Sequence, residues 1–152
     1  MDEKVFAGIN QSDLDAWIEK VEKLGQLKRI TAEVDPDLET STLTYMVGRE
    51  EGSPALLFEN IKGHPGHKAV YNMIGCNLDR FCIAIGEDPV DHPLEAAQIL
   101  KDKMHLTEPP VEIDGANALV NQNIETGDDI DITKFPAPRM WPLDGGKYLG
   151  TA

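Results

Sequence analysis

Hydrophobic residues near the start of the chain recur at intervals of three and four. Between residues 14 and 24 this spacing places the large apolar side chains on one helical face and charged side chains on the other. The apolar positions are Leu14, Trp17, Ile18, Val21 and Leu24. The pattern predicts an amphipathic α-helix, with Ser12 as its N-cap and Gly25 in the left-handed conformation after its last turn.

Residues 27–34 change to an alternating pattern, in which Ile30, Ala32 and Val34 share one side. This alternation predicts a half-buried β-strand. Asp35 and Pro36 then end the strand, and we expect Asp35 to cap a second helix over residues 38–49 with Pro36 in its first turn. Four serine and threonine residues lower the helix propensity of this segment, so its stability depends on tertiary packing.

Two short apolar runs, residues 55–59 and 68–73, flank a loop rich in glycine and proline at residues 60–67. This arrangement predicts strand, loop and strand. The sequence pattern of residues 77–85 predicts a short helix. A further helix is expected to begin at Pro93, with Asp91 or His92 as its cap. Its apolar face consists of Leu94, Ala97, Leu100 and Met104.

The segment Glu108-Pro109-Pro110 marks a boundary between two parts, residues 1–108 and residues 109–152. Beyond it, apolar residues predict strands near residues 119–124 and 130–132, joined by a turn at 126–128. Residues 135–142 are rich in proline and should be extended. The last residues resemble the start of a strand, and we expect the chain to be a piece of a longer protein. The fold class predicted is α/β (α+β), a mixed sheet flanked by helices.

Charge excludes several kinds of partner. The chain has 14 Lys and Arg against 27 Asp and Glu, a net charge of -13. Such a field repels nucleic acid and anionic membrane surfaces. No apolar stretch is long enough for a membrane span, and the first residues do not resemble a secretion signal, so we expect a cytoplasmic protein. Cys76 and Cys82 are accordingly expected to be reduced and buried.

Three local groups could carry chemistry. His64 and His67 lie three apart on a loop and could begin a metal site, although exposed loop histidines are the simpler interpretation. An acidic run could hold a hard cation, although a solvated turn is favoured. Its residues are Asp128, Asp129 and Asp131. Lys147 follows two glycines and could pair with an anion, against the alternative of a plain turn.

Six phrases of the sequence, taken in order, resemble the N-terminal part of the UbiD family of non-oxidative decarboxylases. Each phrase is weak alone, but their order and spacing are specific from about residue 12 to residue 151. They are KLGQLKRI at 23–30, EVDPDLE at 33–39, PALLFENIKG at 54–63, GDDIDI at 127–132, FPAP at 135–138 and DGGKY at 144–148.

The resemblance implies a chemistry as well as a fold. Members of the family are about three times longer and use prenylated FMN, with a divalent metal, usually Mn²⁺, and K⁺ at the cofactor phosphate. They remove, or reversibly add, CO₂ on aromatic, heteroaromatic or α,β-unsaturated carboxylic acids. An N-terminal α/β domain precedes a flavin-binding split β-barrel, and a C-terminal domain mediates oligomerisation into dimers or hexamers.

The resemblance also implies that the reactive residues are absent from this chain. The family's catalytic Glu-Arg-Glu set and its Asn, His and Glu metal ligands follow the Gly-Gly-Lys-Tyr phrase, so they would come after Ala152. One position carries over, Thr151, which resembles a threonine that lies beside the flavin. No catalytic or metal-binding residue is therefore assigned, and we expect a fragment that is inactive alone.

Three alternatives remain open. The protein could be a family member that works as a carboxylase on a phenolic substrate, since both directions share their intermediates. It could instead be a non-catalytic module that binds a partner protein. A metal-binding protein that uses His64 and His67 is the most remote alternative.

Overall fold

The computed structural model describes residues 14–149 apart from 108, 111 and 113. Within this range the fold is a mixed α/β layer followed by a long irregular segment, which confirms the fold class. The elements of the layer, in chain order, are α1 (Leu14–Lys23), β1 (Leu27–Ile30), α2 (Glu39–Gly48), β2 (Ala55–Phe58), β3 (Ala69–Tyr71), α3 (Leu78–Ala84) and α4 (Pro93–Lys103). The segment beyond contains four 3₁₀ turns, Gly115–Asn117, Leu119–Asn121, Gly127–Asp129 and Ile132–Lys134.

The three strands form one sheet in the order β1-β2-β3. Strands β1 and β2 are parallel, with Leu27 opposite Ala55, whereas β2 and β3 are antiparallel, with Leu56 opposite Tyr71. A parallel pair needs a crossover connection, and α2 provides it. The strand, loop and strand predicted around residues 60–67 are confirmed.

The central strand β2 divides the core between the two faces of the sheet, because alternate residues of a strand point in opposite directions. Ala55 and Leu57 pack with buried residues of α1 and α3, namely Trp17, Ile18, Val21 and Ile83. Leu56 and Phe58 pack with Val34, Ile61 and the partly buried side chains of α2 on the opposite face. Every residue of β2 is buried.

Residues 27–34 do not form the continuous strand that the alternation predicts. Strand β1 ends at Ile30, the chain bends, and Ala32 is exposed. Val34 then makes a separate parallel bridge with Ile61. The prediction was wrong at Ala32 because the chain leaves the sheet after Ile30 and pairs again only at Val34.

Helix α1 and the left-handed Gly25, with φ of 71°, are confirmed, whereas Ser12 lies outside the described residues. The prediction that Asp35 caps α2 was wrong. The Asp35 carboxylate instead accepts from the Asp37 N–H at 2.9 Å and from Lys62 Nζ at 2.7 Å. Helix α2 follows Leu38, which has a positive φ and makes no side-chain cap.

The other two helices begin as predicted, with side-chain caps. The Asn77 side chain accepts from the Arg80 N–H before α3, and His92 Nδ1 accepts from the Leu94 N–H before α4. The apolar face of α4 is largely uncovered, because Leu94 and Met104 are each 73% exposed. Only Ala96 among the residues of α4 is buried.

The strands predicted beyond residue 114 were wrong, because residues 119–121 and 132–134 form 3₁₀ turns. Asp131 accepts from the Thr133 N–H, a local bond that competes with strand pairing. Four apolar side chains of the predicted strands are exposed, namely Val120, Ile124, Ile130 and Ile132, and Val120 is 84% exposed. A β-strand needs a neighbouring strand for its backbone hydrogen bonds, and the described residues provide no neighbouring strand for these two segments.

We expect Phe58→Ala to lower the free energy of unfolding by about 3–5 kcal/mol, because it would leave a cavity in the sheet core. Phe58 is fully buried, with its ring edge-on to Tyr71 at 5.3 Å. Urea unfolding followed by circular dichroism measures the change. The control is Leu143→Ala, since Leu143 is 97% exposed and its removal should change stability by less than about 0.5 kcal/mol.

We expect Gly75→Ala to destabilise the chain by more than about 1 kcal/mol, because Gly75 has a positive φ and no room for a side chain. A β-carbon there would lie 2.7 Å from Asn72 Oδ1 and 2.8 Å from Nη2 of the buried Arg80. Gly48→Ala is the matched control, since Gly48 has open space and a negative φ. Equal thermal unfolding temperatures for the two variants would contradict this account.

Candidate functional site

The proline-rich end of the chain returns to the α/β layer and binds the loop before α2. We call residues 135–149 the docked segment. The Leu38 N–H donates to the Arg139 carbonyl at 3.0 Å, and the Arg139 N–H donates to the Pro36 carbonyl at 3.2 Å. Together these bonds form a parallel bridge between Asp37 and Arg139. The extended conformation predicted for this segment is thus stabilised by backbone pairing at Arg139.

Side chains reinforce the Asp37–Arg139 bridge. Arg139 Nε donates to Asp37 Oδ1 at 2.7 Å, and this bond raises the pKa of Arg139. The buried Ser41 hydroxyl donates to the Met140 carbonyl at 3.0 Å. One turn further along α2, the Tyr45 ring meets the Trp141 ring edge-on at 5.4 Å. Helix α2 and the docked segment therefore share polar and aromatic contacts.

The loop before α2 also concentrates charge. We call residues 33–39 the acidic turn; its carboxylates belong to Glu33, Asp35, Asp37 and Glu39. Lys62 comes from the loop after β2, and Arg139 and Lys147 come from the docked segment. The hydrogen bond from Lys62 Nζ is the largest cause that lowers the pKa of Asp35, and the nearby charge of Lys147 adds to it. The acidic turn thus attracts cations from two separate parts of the chain.

A second set of bonds closes the docked segment on itself. Asp144 Oδ2 accepts from the N–H groups of Met140 at 3.1 Å and Trp141 at 2.8 Å. The Tyr148 N–H donates to the Pro138 carbonyl at 3.1 Å. Gly145, Gly146 and Lys147 therefore lie at the tip of a closed loop, as the plain-turn interpretation predicts.

An open cleft of about 560 Å³ separates β3 from the docked segment. Its wall is mainly apolar and aromatic, and it includes Tyr71, Phe135, Pro138, Met140 and Leu149. Burial raises the pKa of Tyr71. A cleft of this kind favours binding of a flat or apolar group, since sites for small molecules are mostly apolar with few polar atoms.

The two loop histidines contact the docked segment. His64 Nδ1 lies 2.9 Å from the Lys134 carbonyl, and the His67 ring meets Phe135 edge-on at 6.0 Å. Both side chains are half-buried, which differs from the exposed loop histidines of the simpler interpretation. Within the described part of the chain, no group of three His, Cys, Asp or Glu residues is arranged to hold a metal.

The remaining candidates take no part in this site. The acidic run is exposed, as a solvated turn should be, and a bond from Thr133 lowers the pKa of Asp131. Thr151 lies outside the described residues. Cys82 is buried and Cys76 is exposed, and both are free, so the expectation that both are buried was wrong for Cys76.

The residues that build the site were missed from sequence. Arg139 carried no recognisable motif, and its partner Asp37 is 102 positions away. The available signal was that each bridge residue follows a proline, whose fixed φ and missing N–H are typical of turns and edge strands. This signal is too common to identify a contact.

Two family models match the chain in sequence order. Residues 18–100 match the 3-octaprenyl-4-hydroxybenzoate carboxy-lyase N-terminal domain, and residues 111–152 match the Rift-related domain of the same carboxy-lyase. The chain therefore belongs to the UbiD family, as the resemblance indicated.

Relatives and solved structures agree with this assignment. A Synechocystis protein described as uncharacterized is 35% identical over 90% of this chain, which covers 30% of that protein. The vanillic acid decarboxylase of Sedimentibacter hydroxybenzoicus in its open form matches with a TM-score of 0.78 and 25% identity, covering 89% of this chain and 29% of the enzyme.

An evolved dimeric form of the UbiD-class enzyme HmfF from Pelotomaculum thermopropionicum, in complex with prFMN, matches with a TM-score of 0.71 and 26% identity. The match covers 88% of this chain and 29% of that enzyme. The chain thus spans less than a third of the length of these relatives. Among the described residues, no helix has the length and apolar character needed to cross a membrane.

We expect the free energy of unfolding to fall less steeply with decreasing pH in Lys62→Met than in the unmodified chain. The pKa of Asp35 is lowered in the folded chain, so its contribution is present above the ordinary value of 3.8 and is lost as the pH falls through the folded pKa. Urea unfolding between about pH 5 and pH 2 measures the slope. Lys28→Met removes an exposed lysine that makes no ion pair in the described part of the chain, and it should leave the slope unchanged.

Proposed function

We propose that this chain is the N-terminal part of a non-oxidative (de)carboxylase that acts on aromatic, heteroaromatic or α,β-unsaturated carboxylic acids through prenylated FMN. The observation that carries the proposal is the order of two family domains in one chain, residues 18–100 and 111–152. Support comes from structural neighbours that include a vanillic acid decarboxylase and an enzyme in complex with prFMN.

In this proposal residues 1–108 form the N-terminal α/β domain, and residues 109–152 form a linker and the first segment of the split-barrel flavin domain. The break between the two family matches, from residue 100 to residue 111, supports the boundary. We propose that the α/β layer is a scaffold for residues 109–152. The support for this role is that the layer binds the docked segment through the Asp37–Arg139 bridge. The layer thus acts as a scaffold for the flavin domain.

The cofactor supplies what side chains lack. Loss of CO₂ from an sp² carbon leaves an electron pair that protein side chains cannot accept, and prenylated FMN, when bound, would supply the electron sink. Thr151 is the residue of this chain that we propose to lie beside the flavin. Because no group of three His, Cys, Asp or Glu among the described residues is arranged to hold a metal, we assign no ligand for Mn²⁺ or K⁺ to this part of the chain and route no step through a metal. Their part is to position the polypeptide and line the cleft beside β3.

The complete protein is proposed to be a cytoplasmic homo-oligomer, a dimer or a hexamer. The dimeric form of HmfF supports self-association. The net charge of -13 repels an anionic substrate. A substrate carboxylate can therefore bind only beside arginine or lysine side chains, which we propose to lie in the remaining polypeptide.

The test compares two proteins, the product of the complete reading frame and the 152-residue chain. Both are reconstituted with prenylated FMN and given vanillic, 3,4-dihydroxybenzoic and cinnamic acids, and flavin absorbance and CO₂ release are measured. We expect the complete protein to retain flavin and release CO₂ from one of these acids, whereas the chain alone does neither.

Each other outcome contradicts part of the proposal. Flavin retention and CO₂ release by the 152-residue chain would contradict its role as a scaffold. A complete protein that retains no flavin would contradict the decarboxylase and favour the non-catalytic module. Incubation of the complete protein with phenols and bicarbonate tests the carboxylase alternative, in which carboxylation exceeds decarboxylation.

A further inference from the structure

We propose that Arg139 is a positioning residue that fixes the approach of the chain to the flavin site. Through Asp37 and the backbone of the acidic turn, it sets where residues 145–149 lie, which end two positions before Thr151 in the sequence. The attachment rests on geometry alone, whereas its effect on the flavin rests on the proposed function.

The first argument is strain at Leu38. Leu38 has φ of 74° and ψ of -32°, a conformation that a residue with a β-carbon rarely adopts. Such a conformation persists only where the surrounding structure determines it, and it is concentrated at functional sites. Here it directs the Leu38 N–H to the Arg139 carbonyl, while the Leu38 carbonyl, 2.9 Å from Ser41 Oγ, shares the single hydroxyl proton of Ser41 with the Met140 carbonyl.

The second argument is that Arg139 binds the acidic turn through three of its own groups. Its carbonyl accepts from Leu38, its N–H donates to Pro36, and its guanidinium donates to Asp37. The side chains of Arg139 and Asp37 are 33% and 42% exposed, so water screens their attraction only in part. Lys147 adds a second cation of the docked segment near the same acidic turn.

The third argument is a short path from Arg139 to the end of the described chain. The residue before Arg139 is Pro138, whose carbonyl accepts from the Tyr148 N–H. Arg139 Nη1 also donates to the Pro142 carbonyl at 3.4 Å, and Asp144 closes the turn that follows. A displacement of Arg139 would therefore move Tyr148, three residues before Thr151.

The first arm of the test uses the 152-residue chain and amide hydrogen exchange. In Arg139→Ala we expect exchange at the Leu38 and Tyr148 amides to accelerate about tenfold, while the Leu57 amide in the sheet core is unchanged. Arg139→Lys keeps the charge and should restore part of the protection. The charge exchange Asp37→Arg with Arg139→Asp should restore more than either single variant does.

The control variant is Arg29→Ala. Arg29 pairs with Glu22 and Glu59 on the surface, away from the docked segment, so its removal tests the loss of one surface arginine. We expect Tyr148 exchange to be unchanged in this variant. If Arg139→Ala also leaves Tyr148 exchange unchanged, the positioning role of the Arg139 side chain is overturned. Equal acceleration of amide exchange at Tyr148 and Leu57 would show that the variant only lowers the stability of the whole chain, and this result would also overturn the positioning role.

The second arm uses the product of the complete reading frame loaded with prenylated FMN. We expect Arg139→Ala to shift the flavin absorption band and lower kcat severalfold while KM changes by less than about twofold, with partial rescue by Arg139→Lys. An unchanged band and kcat, despite faster Tyr148 exchange, would overturn positioning. A wild-type protein without flavin would overturn the proposed function and the positioning effect with it, while the exchange result still decides the attachment.

Discussion

Parallel pairing of β1 with β2 is the constraint on which the site depends. Because parallel strands end at the same edge of a sheet, the acidic turn after β1 and the loop after β2 become neighbours, and Lys62 reaches Asp35. The pairing is fixed by the burial of all four residues of β2, since a slip of one residue would exchange its two buried faces. The docked segment binds this same edge, where open α/β sheets commonly place ligands.

Local order was predictable from sequence, and order that depends on distant partners was not. The apolar face of α1, the loop between β2 and β3, and the His92 cap rest on spacing within a few residues, and the structure has them. The strands expected beyond residue 114 needed neighbours that the described residues do not provide. The Asp37–Arg139 bridge joins two extended loops without any periodic pattern, so no sequence signal could have paired them.

Acidity has two different physical roles in this protein. Spread over the surface, the net charge of -13 keeps other polyanions away. Concentrated in the acidic turn, the same carboxylates select Lys62, Arg139 and Lys147 from a small number of cations. Exposed ion pairs contribute little stability individually, so their main effect here is to choose one docking geometry over others.

The distribution of the core has a consequence for biosynthesis. Both hydrophobic clusters take their buried residues from positions 17–83. As a ribosome extends the polypeptide from its N-terminus, the sheet and helices α1 to α3 can therefore assemble before residues 135–149 have emerged. Residues 135–149 then bind to a sheet and helices that are already folded, so the N-terminal part of the nascent chain orders the part that is synthesised later.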